Sequence, residues 1–308
     1  MRAIVCCPTC PGGIEFRDVP EPVAGRNEVI VEMRATSVNL GNVRRLRWEQ
    51  DGWRPGYDVA GIVSTAAADG TGPAAGERVA GVVPEQAWAE RVAVPTDQVA
   101  VLPDGLGFEA AAAVPVAGLT SQVALGRGGN LLGKRVLITG ASGGVGRFAI
   151  QLARLAGARV TAWAGRPERS IGLADIGAHE VVFEITEEGE LFDLVLESVG
   201  GGHLRTALAR IAPGGTVAAI GATSDEPTTF DALTFIRRGA VTFYGIQLFD
   251  EMERQGLGSA ELGRLLGLVA AGALDPQIVA EGSWKEMAAL LTRLGEREVP
   301  GKAVALID

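Results

Sequence analysis

RVLITGASGGVG, residues 135–146, is the stretch on which the fold turns. Val136, Leu137 and Ile138 form a short apolar run, a glycine-rich turn follows, and residues 147–156 then place Phe148, Leu152 and Leu155 at helical spacing. A strand, a glycine turn and a helix in this order bring backbone N–H groups and the positive end of a helix dipole to one point, where a pyrophosphate can sit. Gly143 and Gly144 let the backbone come close to phosphate oxygens, and Gly146 lets the helix pack on the strand, while Gly140, Ser142 and Val145 complete the turn. The pattern departs from GxGxxG by carrying Ala141 at the first glycine. A tight strand-to-helix turn in any doubly wound protein shares part of it, but the flanking strand and helix are the context a dinucleotide site requires.

The kind of dinucleotide is read at the end of the following strand, about twenty residues on. The chain there runs WAGRPER, residues 163–169, with no acid at the strand end to hold a ribose 2′-hydroxyl. Arg166 and Arg169 suit a 2′-phosphate, which points to NADP(H); as plain structure they would be solvated loop charges.

Outward from the turn, residues 114–248 alternate apolar strands with helical segments. The strands are read at 135–139, 159–163, 181–183, 192–197, 216–220 and 241–246, a rhythm that implies a parallel sheet. Residues 1–113 carry short β-type runs at 2–5, 28–35, 58–65, 78–83 and 89–94. The tail offers helices at 259–271 and 284–294 and strands at 277–280 and 302–307. A terminal strand must pair with something, and the parallel sheet already has its strands. The fold class is therefore α/β, with a discontinuous β-rich domain, 1–113 plus 249–308, and a doubly wound Rossmann domain, 114–248.

The net charge is −9 in 308 residues, and the densest basic cluster is only Arg44, Arg45 and Arg47. Phosphate neutralisation needs a broader positive face, so nucleic acid is excluded as a partner. No apolar window reaches a membrane span and the first residues lack a secretory signal, so no membrane is expected and the cytoplasm is. Cys6, Cys7 and Cys10 sit together in CCPTC, but His179 and His203 lie far away and no four-ligand zinc set exists. The cysteines are read as ending the first strand and entering the turn 8–13.

Several segments together resemble one family: SVN at 37–39, PGYDVAG at 55–61, GERV at 76–79, VPVAGLT at 114–120, the glycine turn, and the closing PGKAVALID. Across almost the whole chain this is similar to the quinone oxidoreductase branch of the medium-chain dehydrogenase/reductases, which includes zeta-crystallins and enoyl reductases. The resemblance implies a GroES-like catalytic domain beside the Rossmann domain. The zinc ligands of the alcohol dehydrogenases in that superfamily fall at Asn39, Tyr57 and Ala117, none a good zinc ligand, and their structural-zinc lobe is missing. Between Val43 and Pro55 the chain is shorter than the family's usual connection.

The resemblance further implies that Asn39, Thr120 and the turn line the nicotinamide and diphosphate. Ser198, Val199, Gly221, Ala222, Tyr244 and Ile246 would border the cofactor cleft, and Lys302 would reach a cofactor phosphate. As plain structure, Asn39 is a turn former, Tyr57 an amphipathic core residue and Lys302 a solvated strand-edge lysine. Trp48, Trp53 and Trp88 either line a flat apolar pocket or serve as core and cover. The implied reaction is hydride transfer from NADPH to a quinone or an α,β-unsaturated carbonyl, without zinc, with Asn39 and Tyr57 as catalytic residues and the proton coming from water or Tyr57. The alternatives are carbonyl reduction to an alcohol and NADPH binding without turnover. A homodimer through the apolar strand at 240–249 is expected, since an uncovered sheet edge invites pairing.

Overall fold

A computed structural model describes all 308 residues. The chain divides into two compact units, Met1–Leu119 with Met252–Asp308, and Thr120–Glu251. The sequence reading put the seams at 113/114 and 248/249; both seams of the structure fall a few residues later, inside helices.

The first unit opens with β1 (Arg2–Cys6), β2 (Ile14–Asp18), β3 (Glu28–Val38), α1 (Leu40–Arg45), β4 (Asp58–Thr65), β5 (Arg78–Val82), β6 (Arg91–Pro95), β7 (Val99–Val101) and α2 (Phe108–Ala112). Helix α3 (Pro115–Gly126) carries the first seam. The second unit holds β8 (Arg135–Thr139), α4 (Gly144–Leu155), β9 (Arg159–Trp163), β10 (Glu180–Val182), β11 (Phe192–Glu197), α5 (Gly201–Arg210), β12 (Ile211–Ala219), α6 (Ala232–Arg238) and β13 (Thr242–Gly245). Helix α7 (Leu248–Gln255) carries the second seam, and α8 (Ser259–Ala270), β14 (Ile278–Ser283), α9 (Met287–Gly295) and β15 (Lys302–Leu306) return to the first unit.

In the first unit the main sheet runs β14-β15-β3-β4-β5-β7, with β6 also pairing β3. The terminal strand lies antiparallel to β3, with Ala303 opposite Val38. Val29, Val31 and Met33 alternate along β3 into a core that also takes Trp88 and Trp284, both fully enclosed. Gly56, at φ +107, comes so close to Trp88 that an added Cβ would lie 2.5 Å from its ring and backbone. Trp88 is thus a core residue and lines no pocket, whereas Trp48 is 76% exposed.

The second unit is one parallel six-stranded sheet in the order β10-β9-β8-β11-β12-β13. Strand order reverses between β8 and β11, and in open sheets of this kind ligands bind at the carboxyl ends beside that reversal. Helix α4 starts at Gly144, three residues earlier than read from the sequence, and buries Phe148, Ala149, Ile150 and Ala153. Leu155 is 54% exposed, so the apolar set 148, 152, 155 only partly marks the buried face. The sheet ends on β13, which is four residues long instead of spanning 240–249, because Leu248 already opens α7. No helix is long and apolar enough to cross a membrane.

Candidate functional site

In the second unit, the glycine turn is held from three sides. Gly140 adopts φ +58, a left-handed conformation that a side chain resists, and a Cβ there would run into the Ser198 hydroxyl. At Gly146 a Cβ would stand 2.7 Å from the Ala141 Cα and from the Gly140 carbonyl oxygen, so only glycine lets α4 approach the end of β8 this closely. Gly143 precedes the helix without offering a side-chain cap, which leaves the first-turn N–H groups to a ligand or to water. The Ser121 hydroxyl, from α3, donates to the Val145 carbonyl at 2.9 Å.

Neighbouring strand ends are stitched to the turn through a carboxylate that sequence reading missed. Glu197, the last residue of β11, is fully buried and accepts from the Thr139 hydroxyl at 3.0 Å and from the backbone N–H groups of Val199 and Gly200 at 2.8 and about 3.0 Å. Ser198 N–H donates to Thr139 Oγ1 at 2.9 Å, and its hydroxyl donates to the Thr139 carbonyl at 3.1 Å. Burial pushes the Glu197 carboxyl above the usual carboxylate range, against the pull of these donors. Thr223 and Ser224 N–H groups donate to the carbonyls of Ser198 and Val199, so Gly221 and Ala222 lie beside the β11 turn. The structure thereby brings Gly140, Ser142, Gly143, Gly144, Val145, Gly146, Ser198, Val199, Gly221 and Ala222 to one end of the sheet.

The remaining expected residues of this unit vary in placement. Arg169 donates from Nε to the Ser142 hydroxyl at 3.0 Å, so it reaches the glycine turn itself. Arg166 is exposed and opens the short helical turn Pro167–Arg169. Arg147, unremarked in the sequence, is buried and ties the turn to the Ile171 carbonyl at 2.8 Å. The end of β9 carries Trp163, Ala164 and Gly165 and no carboxylate. Thr120 is buried on α3. The Tyr244 hydroxyl donates to Glu251 at 2.7 Å while Arg127 stacks 4.1 Å from its ring centroid and also pairs with Glu251. Ile246 contributes its N–H to the Ala219 carbonyl.

In the first unit a second polar cluster forms, again around a carboxylate missed in the sequence. Asp58, first residue of β4, is fully buried. It accepts from the Asn39 amide at 2.7 Å, from the Ser37 hydroxyl, and from the Val116 N–H at 2.8 Å. Lys302 completes the cluster, donating to Ser37 Oγ at 2.7 Å and to Asn39 Oδ1 at 2.8 Å, with its ammonium 3.9 Å from Asp58. Lys302 is 2% exposed, and its ammonium grips the Asn39 carbonyl. Burial holds its ammonium below the usual lysine range, with Asp58 opposing. Both ends of the Asn39 amide are therefore fixed, its NH₂ by Asp58 and its carbonyl by Lys302.

Tyr57 is half-buried in the same unit, its phenol bonded to Arg45; burial pushes the phenol up, and Arg45 opposes. Trp53 lies under Arg45, 4.3 Å from guanidinium to ring centroid, and its indole donates to Glu85 at 2.9 Å. Ala117 is enclosed and offers no metal donor. Asn39, Tyr57 and Ala117 supply neither thiolate nor imidazole, so these residues do not fit a zinc ion.

A family model described as zinc-binding dehydrogenase matches residues 144–260. A mycocerosic acid synthase-like polyketide synthase of Mycobacterium tuberculosis is 34% identical over 76% of this chain and 12% of its own length. The chain thus spans about an eighth of that large relative. A quinone oxidoreductase of Pseudomonas aeruginosa is 28% identical over 96% of both chains. Among solved structures, Escherichia coli quinone oxidoreductase complexed with NADPH shares the fold at a TM-score of 0.87, with 22% identity over 99% of this chain and 100% of that one.

Proposed function

The chain belongs to the quinone oxidoreductase branch of the medium-chain dehydrogenase/reductases, and from that premise we propose that it is an NADPH-dependent reductase delivering hydride to a quinone or an α,β-unsaturated carbonyl compound without zinc. The observation that carries the reading is the glycine turn, tied to Arg169 through Ser142, at the end of a sheet whose β9 lacks the acid that NADH favours.

The residues divide the work as follows. The turn at 140–146 offers backbone N–H groups to the pyrophosphate, and Arg166 with Arg169 takes the 2′-phosphate through paired, charge-assisted hydrogen bonds. When bound, the dinucleotide supplies the hydride. In the first unit, the Asn39 amide is preset by Asp58 and Lys302, so its hydrogen bonds cost no reorganisation as charge develops. Tyr57, with its phenol pushed up by burial, keeps its proton at neutral pH and can donate it directly or through water. Orientation and preset dipoles, rather than a Lewis acid, then supply the acceleration.

The test is NADPH oxidation screened against quinones, enones, enoyl thioesters and simple ketones. Turnover with a conjugated acceptor supports the reading; turnover confined to ketones would make the enzyme a carbonyl reductase, and tight NADPH binding without any turnover would make it a binding protein. The same proposal includes a homodimer built on the β13 edge, where Phe243 is 50% exposed; Ile236 on α6 is 70% exposed. Light scattering should give twice the chain mass, and Phe243→Asp should shift it to the monomer; a monomeric wild type at micromolar concentration overturns the dimer.

A further inference from the structure

The CCPTC run at 6–10 takes no part in the reaction described above. In the structure Cys7 and Cys10 are disulfide-bonded, with their Cα atoms 5.3 Å apart. The loop that brings them together is built by the backbone: Cys10 N–H donates to the Cys7 carbonyl at 2.9 Å, Gly13 N–H to the Cys10 carbonyl at 3.0 Å, and Cys7 N–H to the Gly13 carbonyl at 2.9 Å. Gly12, at φ +72, also lies against α9, where a Cβ would come within 2.7 Å of the Ala288 side chain. The path of the loop is thus set by hydrogen bonds and packing as well as by the sulfur link.

Glu15, on β2, faces the two sulfurs. Its Oε2 lies 3.6 Å from Cys10 Sγ, and one ligand atom from each of Cys7, Cys10 and Glu15 falls within 4.8 Å of the others. Oε1 of the same carboxylate accepts from Arg17 Nε at 2.7 Å, which orients it and places a compensating positive charge beside the group. Cys6 stands apart, buried, with its thiol turned to the carbonyls of Leu46 and Glu49.

A tetrahedral zinc, with Zn–S about 2.3 Å and Zn–O about 2.0–2.2 Å, needs ligand atoms roughly 3.5–3.8 Å apart. Two thiolates and a carboxylate with the fourth position left to water form a sufficient set. The sequence reading set the cysteines aside for want of four ligands, because it had no sign that Glu15 joins them.

We propose that Cys7, Cys10 and Glu15 form a redox-gated site for a thiophilic divalent cation, with zinc as the cation of choice: open as the dithiol, closed as the disulfide. An external dithiol opens it by thiol–disulfide exchange, in which the Cys7–Cys10 bond breaks, both sulfurs gain a proton, and the two electrons come from the dithiol as it becomes a disulfide. Zinc entry then displaces the two thiol protons to solvent.

The experiment is a zinc titration of the full chain against a chromogenic chelator, run on protein reduced with a dithiol and desalted without oxygen, and on air-oxidised protein. One zinc per reduced chain and none per oxidised chain is expected. Cys10→Ser should abolish binding, Glu15→Gln should weaken it at least tenfold, and Cys6→Ser should leave it intact, with circular dichroism confirming that each variant is folded. Cobalt added to reduced wild type should give a thiolate-to-metal charge-transfer band, a readout that needs no variant. The site is overturned if reduced wild type takes up no zinc, if Cys10→Ser or the oxidised chain binds as much, or if Cys6→Ser removes binding.

Discussion

Glu197 and Asp58 are both fully buried carboxylates at strand termini, and they are neutralised in opposite ways. Glu197 faces only neutral donors, the N–H groups of Val199 and Gly200 and the Thr139 hydroxyl, and burial dominates its chemistry. Asp58 has neutral donors too, but a buried ammonium, Lys302, stands 3.9 Å away. The first arrangement shapes backbone, drawing the β11 turn against the glycine turn. The second shapes a side chain, fixing the Asn39 amide. A carboxylate that serves backbone needs no cation, whereas one embedded with a lysine becomes costly once the lysine is lost.

That contrast makes Lys302→Met the substitution with the largest expected effect. It leaves Asp58 buried beside an apolar chain, which should cost about 3–5 kcal/mol of stability. Adding Asp58→Asn should recover much of the loss, because the uncompensated charge goes with it. Urea unfolding at unchanged slope would measure both. A loss below about 1 kcal/mol for Lys302→Met would show that the pair is not the buried ion pair described.

The proposed phosphate site is broken from its cation side next. Each hydrogen bond to a charged group contributes about 1.5–3 kcal/mol. Arg166→Ala should therefore lower kcat/KM for NADPH roughly tenfold or more, at about 1.4 kcal/mol per decade. NADH should be nearly unaffected. Arg169→Ala should also lower the NADPH value and, through its lost bond to Ser142, disturb the turn itself. If wild type uses both cofactors equally, or Arg166→Ala weakens both alike, the two arginines are surface charges.

Glu197→Gln sharpens the comparison with a smaller effect that depends on pH. The folded state raises the Glu197 carboxyl above its unfolded value, so it takes up its proton first on acidification. Its relative contribution is fully present below the ordinary carboxylate range and is lost as pH rises through the raised value. Stability of wild type minus that of the amide variant should accordingly increase as pH falls toward that range. A difference independent of pH, or one that grows with alkalinity, would contradict the assignment.

Legibility in the sequence followed the range of each interaction. The glycine turn, the acid-free end of β9 and the alternating strands of the second unit are local patterns, and the structure displays each of them. Gly146 was recognisable because helix-to-strand approach is decided within six residues of one another, Ala141 to Gly146. Asp58, Glu197 and Glu251 escaped notice because each has a partner far along the chain: Val116 lies 58 residues from Asp58, Thr139 58 from Glu197 and Arg127 124 from Glu251. Long-range packing also decides between readings the sequence leaves open: Lys302 is enclosed and not a solvated strand-edge lysine, and Trp88 is core and not pocket lining. The overlong reading of β13 had a local cause, since the apolar run at 240–249 continues into the amphipathic start of α7 and apolar content alone does not mark that switch.

The central claim, hydride delivery from NADPH to a conjugated carbon without a metal, is tested most directly by isotope tracing. The enzyme would be incubated with NADPH deuterated at the transferring position and an α,β-unsaturated ketone, in the presence of a strong chelator, and the product examined by NMR. The account expects one deuterium at the carbon β to the retained carbonyl, at the same rate with and without chelator. Deuterium on a carbinol carbon, or loss of transfer on chelation, would contradict it.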